Sequence, residues 1–132
     1  MKLAFYIGFN ENCKSAIDFY KQVFNVEENI LWLHDESNTV DESKWGKVFH
    51  AELVFEGKYD IYMSDQFQEI DKSGYNFTIM YNNGKDASEK FDLLSKNGEI
   101  INPMKKMDYG PTIGKVRDQF GVSWYIVISD KI

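Results

Sequence analysis

Short segments of alternating apolar and polar residues make up much of the chain, and this pattern predicts strands whose two faces differ chemically. Two segments depart from it, because their apolar residues recur at the spacing of one helix face. The first is residues 13–24, and the second lies between Asp86 and Gly98. In chain order we predict a strand at 2–9, the first helix, strands at 29–33, 47–55, 59–65 and 75–81, the second helix, and strands at 99–102, 112–117 and 122–129.

The second helix carries recognisable signals at both ends. Asp86, with Glu89 three residues later, has the form of a capping box, so we predict that the helix begins there. Asn97-Gly98 predicts its end, because glycine readily adopts the left-handed conformation that often closes a helix.

The chain repeats itself weakly at an interval of roughly seventy residues. Matching residues in the first strand of each copy are Ile7 with Ile79 and Phe9 with Tyr81. Each copy reads as one strand, one helix and about three further strands. Neither copy buries its apolar face alone, so we expect a single α+β domain, 1–132, built from modules 1–70 and 71–132 with a ligand cleft between them.

Alternation divides the predicted strands into an apolar face and a mixed face. The apolar face of residues 47–55 is expected beneath a helix and consists of Phe49, Ala51, Leu53 and Phe55. The mixed faces carry aromatic and hydrogen-bonding residues, namely His50, Glu52, Tyr62, Asn76, Thr78 and Tyr125. If the sheet curls so that these faces converge, they line a pocket for an organic ligand of modest polarity. The alternative is that they face solvent, as in many antiparallel sheets.

Charge and cysteine content narrow the classes of function. The 132 residues include 15 Lys and Arg against 21 Asp and Glu, which is a net charge of −6. We therefore expect no nucleic-acid partner, because its phosphates would be repelled. No apolar run approaches the roughly 18 residues of a membrane span, and the single Cys13 can form no disulfide within the chain. These features predict a soluble cytoplasmic protein with no membrane partner.

His50 and Glu52 are the candidate catalytic residues, because a histidine beside a carboxylate can act as a general base. The pair is equally consistent with a structural hydrogen bond. Cys13 lies on the apolar helix face and is expected in the core, whereas His34 is expected at the surface. The acidic loop 34–44 is either a lid over a site or an ordinary surface loop.

Four segments carry a family resemblance. They are the run YIGFNENCKSAIDFYKQVF at 6–24, FHAEL at 49–53, MSD at 63–65 and DQFGVSW at 118–124. Together they resemble the vicinal oxygen chelate superfamily, which includes glyoxalase I, bleomycin-resistance proteins and extradiol dioxygenases, and most closely its PhnB-like branch. The resemblance implies two βαβββ modules forming a curled mixed sheet, the glyoxalase/bleomycin-resistance fold, and usually a homodimer.

The resemblance also implies positions for metal ligands. Metal-dependent members take four His, Glu or Gln ligands, and the matching positions here are Ala4 or Phe5, Tyr62, Asn76 and Tyr125. None is a usual ligand, and the set contains no carboxylate to balance the charge of a divalent ion. The branch is often labelled after a methyltransferase, but the sequence has no glycine-rich turn suited to a nucleotide cofactor. We therefore expect neither a metal nor another cofactor.

The function that these observations favour is binding of a small organic molecule by a metal-free, PhnB-like protein, and the sequence does not decide whether it is an enzyme. One alternative is a metal-dependent lyase, isomerase or dioxygenase with shifted ligands such as His50 and Glu52. The other is a resistance protein that binds a drug stoichiometrically.

Overall fold

A computed structural model describes residues 1–72 and 74–130 of the protein. The chain divides into two compact units, Met1–Ile70 and Asp71–Ile132. The predicted second module, 71–132, therefore includes positions 73, 131 and 132, which lie outside the described residues. No helix in the described part is long and apolar enough to cross a membrane.

The first unit consists of one strand, one helix and three further strands. These are β1 (Phe5–Phe9), α1 (Cys13–Val23), β2 (Val26–Leu33), β3 (Val48–Phe55) and β4 (Tyr59–Asp65), with a 3-10 helix at Glu42–Lys44 between β2 and β3. The strand order in the sheet is β1-β4-β3-β2. β1 pairs parallel with β4, and the other two pairings are antiparallel.

The second unit repeats this arrangement. Its elements are β5 (Phe77–Tyr81), α2 (Gly84–Ser95), β6 (Glu99–Lys106), β7 (Thr112–Arg117) and β8 (Ser123–Ile128). The strand order is β5-β8-β7-β6, again with one parallel pair at the β5 edge. The predicted pair of βαβββ modules is confirmed, and each module forms its own four-stranded mixed sheet.

The core of the first unit lies between α1 and one face of its sheet. The apolar stripe of the helix is buried, and it consists of Cys13, Ala16, Ile17, Tyr20 and Val23. Tyr20 and Phe24 each contact Phe55 of β3, with ring centroids 6.1 and 5.6 Å apart. Burying a side chain the size of Ile17 or Val23 contributes about 1.5–3 kcal/mol, so this stripe accounts for the position of the helix. Cys13 is a core residue, as predicted.

Phe49 does not lie on the buried face where alternation predicts it. Trp32 pairs with His50 and Leu33 pairs with Val48, so the ladder passes over Phe49. Such a bulge exchanges the two faces of a strand, and here Val48 is buried while Phe49 is 43% exposed. Phe49 packs instead against the His34 ring, with centroids 5.0 Å apart. His34 is half-buried in consequence, not a surface residue.

The ends of α2 differ in detail from the prediction. The N-cap is Asn83, whose side-chain oxygen accepts a hydrogen bond from the Asp86 backbone N–H at 2.8 Å. The predicted capping box at Asp86 is therefore wrong by about one turn. At the other end Asn97 takes the left-handed conformation, with φ of 56°. Gly98 is needed for a different reason, because a Cβ there would lie 2.5 Å from the backbone oxygen of Arg117.

The N-terminus of α1 is capped from another element. Asn12 precedes the helix but makes no side-chain capping bond. Instead Asp65, at the end of β4, accepts hydrogen bonds from the backbone N–H of Cys13 at 3.0 Å and of Val48 at 2.9 Å. One buried carboxylate thus ties α1 to β3 and β4, which gives the MSD segment at 63–65 a structural role.

A second buried carboxylate organises the turn between β7 and β8. One oxygen of Asp118 accepts from the backbone N–H of Phe120 and Val122, at 2.9 and 3.1 Å. The other accepts from the indole N–H of Trp124 at 2.9 Å. Asp118 therefore holds the DQFGVSW turn together and anchors Trp124, which is 2% exposed.

Candidate functional site

The predicted residues of the first module meet on the sheet face opposite α1. Pairing sets Tyr6 of β1 beside Tyr62 of β4, and Tyr62 beside Glu52 of β3. His50 lies two residues from Glu52 on the same strand and pairs with Trp32 of β2. Because residues two apart share a face, all five side chains lie on one side of the sheet, which we call the open face.

Three of these side chains form a continuous chain of hydrogen bonds. The Tyr6 Oη lies 3.0 Å from His50 Nδ1, and His50 Nε2 lies 3.3 Å from Glu52 Oε2. The His50 and Glu52 side chains are about three-quarters buried, at 23% and 27% exposed, whereas Tyr6 is 50% exposed. Tyr6 is therefore the member of this chain that reaches furthest toward solvent.

The chemistry of the three groups determines the direction of both hydrogen bonds. An ionised carboxylate can only accept, so His50 Nε2 carries the proton that faces Glu52. A neutral imidazole then has a lone pair on Nδ1, and the Tyr6 hydroxyl donates to it. The oxygen of Tyr6 keeps its own lone pairs, which are free to accept from a bound molecule.

Aromatic rings surround His50 on the open face. Its ring centroid lies 5.6 Å from that of Tyr62 and 5.8 Å from those of Tyr6 and Trp32. Tyr6 and Tyr62 meet edge to face at 6.2 Å. Trp32 is 55% exposed, so this cluster offers apolar ring surface to solvent beside its polar atoms.

A cation borders the open face at its β1 side. Lys2 Nζ lies 3.4 Å from Asp60 Oδ2 and 5.9 Å from the centroid of the Tyr62 ring. The pKa of Lys2 is raised above its ordinary value, first by a hydrogen bond with the Tyr62 side chain and then by Asp60. Lys2 consequently stays protonated throughout the neutral range.

The other predicted residues belong to the second module. Thr78 of β5 pairs with Tyr125 of β8, and Tyr125 pairs with Lys115 of β7. Lys115 Nζ lies 5.2 Å from the Tyr125 ring centroid. Asn76 precedes β5 and is exposed. The six predicted residues therefore form two sets, one on the sheet of the first module and one on, or directly before, a strand of the second.

A shallow concavity of about 370 Å³ lies beside Tyr125. Its lining includes Pro103 and Lys105 of β6, and the ladder between β6 and β7 is irregular between Asn102 and Lys105. Pro103 lies inside β6, which extends four residues beyond the predicted strand at 99–102, and it has no N–H to donate to the ladder.

The residues at the superfamily's metal-ligand positions do not suit a divalent metal. Ala4 and Phe5 have no donor atom in their side chains, while Tyr62 and Tyr125 offer only phenol oxygens. Within residues 1–72 and 74–130, no three or more His, Cys, Asp or Glu side chains are grouped so as to hold a metal ion.

The sequence prediction misses two members of the site, Tyr6 and Trp32. The position of Tyr6 on a short edge strand gives little signal, because a tyrosine there is as consistent with packing as with function. The alternation of residues 5–9 does place Tyr6 on the face opposite Ile7 and Phe9, which are buried. That signal becomes informative only once the pairing of β1 with β4 is known.

The chain is similar to several known proteins over nearly its full length. The model of the family described as 3-demethylubiquinone-9 3-methyltransferase matches residues 1–127. Protein YjdN of Escherichia coli is 29% identical, with 96% of this chain and 94% of that protein covered. A PhnB protein from Bacillus cereus superposes with a TM-score of 0.85 at 20% identity, covering 98% of this chain and 100% of that one.

A more distant structure shares the fold. A glyoxylase/bleomycin resistance protein/dioxygenase domain from Frankia has a TM-score of 0.66 at 12% identity, covering 99% of this chain and 93% of that one. The chain therefore belongs to the 3-demethylubiquinone-9 3-methyltransferase family, and it shares its fold with the PhnB protein and the glyoxylase/bleomycin resistance protein/dioxygenase domain.

Proposed function

We propose that this protein binds a small organic molecule on the open face of the first module. The observation that carries the proposal is the Tyr6–His50–Glu52 chain of hydrogen bonds, which lies among the rings of Trp32 and Tyr62. Aromatic and apolar side chains beside a few oriented polar atoms are the usual lining of a small-molecule site.

The molecule that fits this surface is aromatic or conjugated and carries one polar group. The exposed parts of Trp32 and Tyr6 provide ring surface for edge-to-face or offset contact, which contributes about 0.5–1.5 kcal/mol per ring pair beyond the area buried. The polar group meets the Tyr6 oxygen, because Tyr6 is the most exposed residue of the chain of hydrogen bonds. Specificity on this surface therefore comes from one atom, and most of the affinity comes from the rings.

We propose further that the site on the open face holds no metal ion. His50 and Glu52 are the best donors on the open face, but the atoms that would bind a metal face each other at 3.3 Å. Two donors without a third make a weak site for a divalent ion. Elemental analysis of the purified protein tests this: we expect far less than one Zn, Ni, Fe or Mn per chain, and about one per chain would overturn it.

Two further parts of the proposal concern the second module and assembly. We propose Asn76, Thr78 and Tyr125 as ligand contacts, which rests on the alternation of their strands, and a homodimer as the working form, which rests on the family resemblance. Light scattering after size exclusion tests the dimer, because a dimer has twice the chain mass of 15.5 kDa. A mass that stays at one chain across micromolar concentrations would overturn it.

Titration followed by NMR tests the binding surface. The probes are 4-nitroanisole, 4-nitrophenol and a small panel of other substituted benzenes at millimolar concentration. We expect the Trp32 indole resonance and the amides of β1, β3 and β4 to shift, and His50→Ala to weaken the response. The matched control is Tyr59→Phe, because Tyr59 is exposed on β4 but lies outside the open face. If no probe shifts these resonances, the proposed surface is wrong.

A further inference from the structure

We infer that Tyr6 is the residue that exchanges a proton with the bound molecule, and that this molecule carries a weakly acidic hydroxyl group, a phenol or an enol. The inference rests on the proposed function, because it concerns the same open face. It assigns His50 a positioning and proton-storing role in place of direct contact with the ligand.

Both nitrogens of His50 are already engaged. Nδ1 accepts from Tyr6 and Nε2 donates to Glu52, so neither ring atom is free to reach a ligand. The imidazole side chain is also only 23% exposed, against 50% for the whole of Tyr6. A molecule that arrives at the open face therefore meets the phenol oxygen before it meets the imidazole.

The proton transfer balances without any further reactant. The ligand hydroxyl donates to Tyr6 Oη, and its O–H bond breaks as a new O–H bond forms on Tyr6. The original Tyr6 proton moves to the lone pair of His50 Nδ1 along the existing 3.0 Å hydrogen bond. The products are a ligand oxyanion, a neutral tyrosine and an imidazolium, and no atom is oxidised or reduced.

Glu52 makes this transfer favourable. Its carboxylate holds the His50 ring in the tautomer that leaves Nδ1 free to accept, and it stabilises the imidazolium that forms. The ligand anion and the carboxylate then lie on opposite sides of a positive ring, so their mutual repulsion is reduced. Net charge on the tyrosine, histidine and ligand together stays at zero throughout.

The second module shows that the sheet alone does not require these residues. Tyr6, Tyr62 and Glu52 are paired across β1, β4 and β3 as Thr78, Tyr125 and Lys115 are paired across β5, β8 and β7. The tyrosine of β4 is thus retained on β8, whereas the residues equivalent to Tyr6 and Glu52 are Thr78 and Lys115. His50 likewise corresponds to Ile113, since each lies two residues before its partner in this row.

Two matched probes separate ring contact from proton transfer. 4-Nitrophenol carries the acidic hydroxyl, whereas 4-nitroanisole has the same ring with a methyl ether in its place. For the wild-type protein we expect 4-nitrophenol to bind about tenfold more tightly than 4-nitroanisole, the effect of one good hydrogen bond. The visible absorbance of bound 4-nitrophenol should show more phenolate than the free probe has at the same pH.

Variants then locate the proton acceptor. In Tyr6→Phe the affinity ratio of the two probes should fall to about one, and the additional phenolate band should disappear. Glu52→Gln should keep part of the affinity ratio but lose most of the additional phenolate, because the imidazolium has no carboxylate partner. Tyr59→Phe, outside the open face, should retain the wild-type ratio and band.

The outcomes are distinguishable. If neither probe binds the wild-type protein, the proposed function itself fails. If both bind with equal affinity and the bound 4-nitrophenol shows no additional phenolate, the proton-transfer role of Tyr6 is overturned while the binding surface stands. This second comparison uses the wild-type protein alone, so it does not depend on the folding of any variant.

Discussion

The two modules have the same strand order and pairing, and each contains one helix. The N-terminus of that helix is capped differently in the two modules. In the second module Asn83 comes directly before α2 and accepts from the Asp86 backbone N–H. In the first, Asp65 reaches the N-terminus of α1 from the end of β4, 52 residues further along the chain. An N–H group of the first helical turn is thus met by a local side chain in one module, at the third helix residue, and by a tertiary contact in the other, at the first helix residue.

The difference explains which residue stands at each equivalent position. Asp65 pairs with Phe9 at the end of the parallel pair β1–β4, and Ile128 pairs with Tyr81 at the same place in β5–β8. Where the helix carries its own cap, that position is free to be apolar. Where it does not, a buried carboxylate is required, and two backbone N–H groups depend on it.

The open faces of the two modules differ as well. Glu52 occupies the position that Lys115 occupies in the second module, although both lie beside a tyrosine of the neighbouring strand. The first face therefore has an acid with a histidine, and the second has a cation over an aromatic ring. The two modules thus share their backbone pairing while the charge on the face differs.

The largest effect is expected at the tertiary cap. Asp65→Ala removes two charge-assisted hydrogen bonds and leaves the N–H groups of Cys13 and Val48 buried without this partner, so we expect a loss of about 4 kcal/mol in the free energy of unfolding. Urea denaturation measures it. Asp60→Ala, on the same strand but half-exposed, is the control and should cost about 0.5 kcal/mol. Equal losses would contradict a capping role for Asp65.

A slightly smaller effect is expected at the second buried carboxylate. Asp118→Ala should cost about 3 kcal/mol, because it removes the acceptor for Phe120, Val122 and Trp124. Asp118→Asn separates these contacts. Its amide oxygen can still accept from the backbone N–H groups of the turn, whereas the Trp124 indole N–H loses its acceptor. We expect the Asn variant to lose about half as much stability as the Ala variant and to change Trp fluorescence. An Asn variant as unstable as the Ala variant would contradict separate roles for the two Asp118 oxygens.

The local cap should matter less. Asn83→Ala is expected to cost about 1 kcal/mol, the usual value for an exposed N-cap, also measured by urea denaturation. Asn83→Asp keeps an acceptor at this position and should retain most of the stability. If Asn83→Ala costs as much as Asp65→Ala, the distinction between local and tertiary capping is not reflected in stability.

The smallest effect is a dependence on pH. It concerns the loop between the second and third strands, which is longer in the first module than in the second. In the first module the pKa values of Asp35 and Asp41 are lowered, first by hydrogen bonds from the hydroxyls of Ser37 and Ser43 and then by their backbone N–H groups. Such carboxylates stabilise the loop above their ordinary pKa of 3.8, and that contribution is lost as the pH falls through the lowered values.

NMR titration between pH 2 and pH 7 checks this. The Ser37 and Ser43 amide protons should shift with midpoints below 3.8, because each donates to the titrating carboxylate. In the second module the Met107 amide donates to the Pro111 carbonyl oxygen, which does not titrate, so it should hardly move. Midpoints at or above 3.8 for the two serines would contradict the hydrogen bonding described for this loop.

Much of the fold follows from local pattern. The strand at Tyr59–Asp65, the strand at Thr112–Arg117 and the helix beginning at Cys13 lie where alternation and helical spacing predict them. Local pattern fails at Phe49, because a bulge exchanges faces without changing composition. It fails at Pro103 because the irregular ladder of an edge strand accommodates a residue without an N–H. For the candidate site, alternation correctly groups His50, Glu52 and Tyr62 on one face, since residues two apart share a face.

The sequence by itself therefore determined the modules, most of their strand faces and the family to which the chain belongs, because these depend on periodicity and on motifs within short segments. Only the tertiary structure decided that Tyr6 donates to His50, 44 residues away, and that Asp65 caps α1. Both contacts depend on the parallel pairing of β1 with β4 and on the packing of α1 against the sheet. Strand register is a property of two segments at once, so no single segment of sequence contains it.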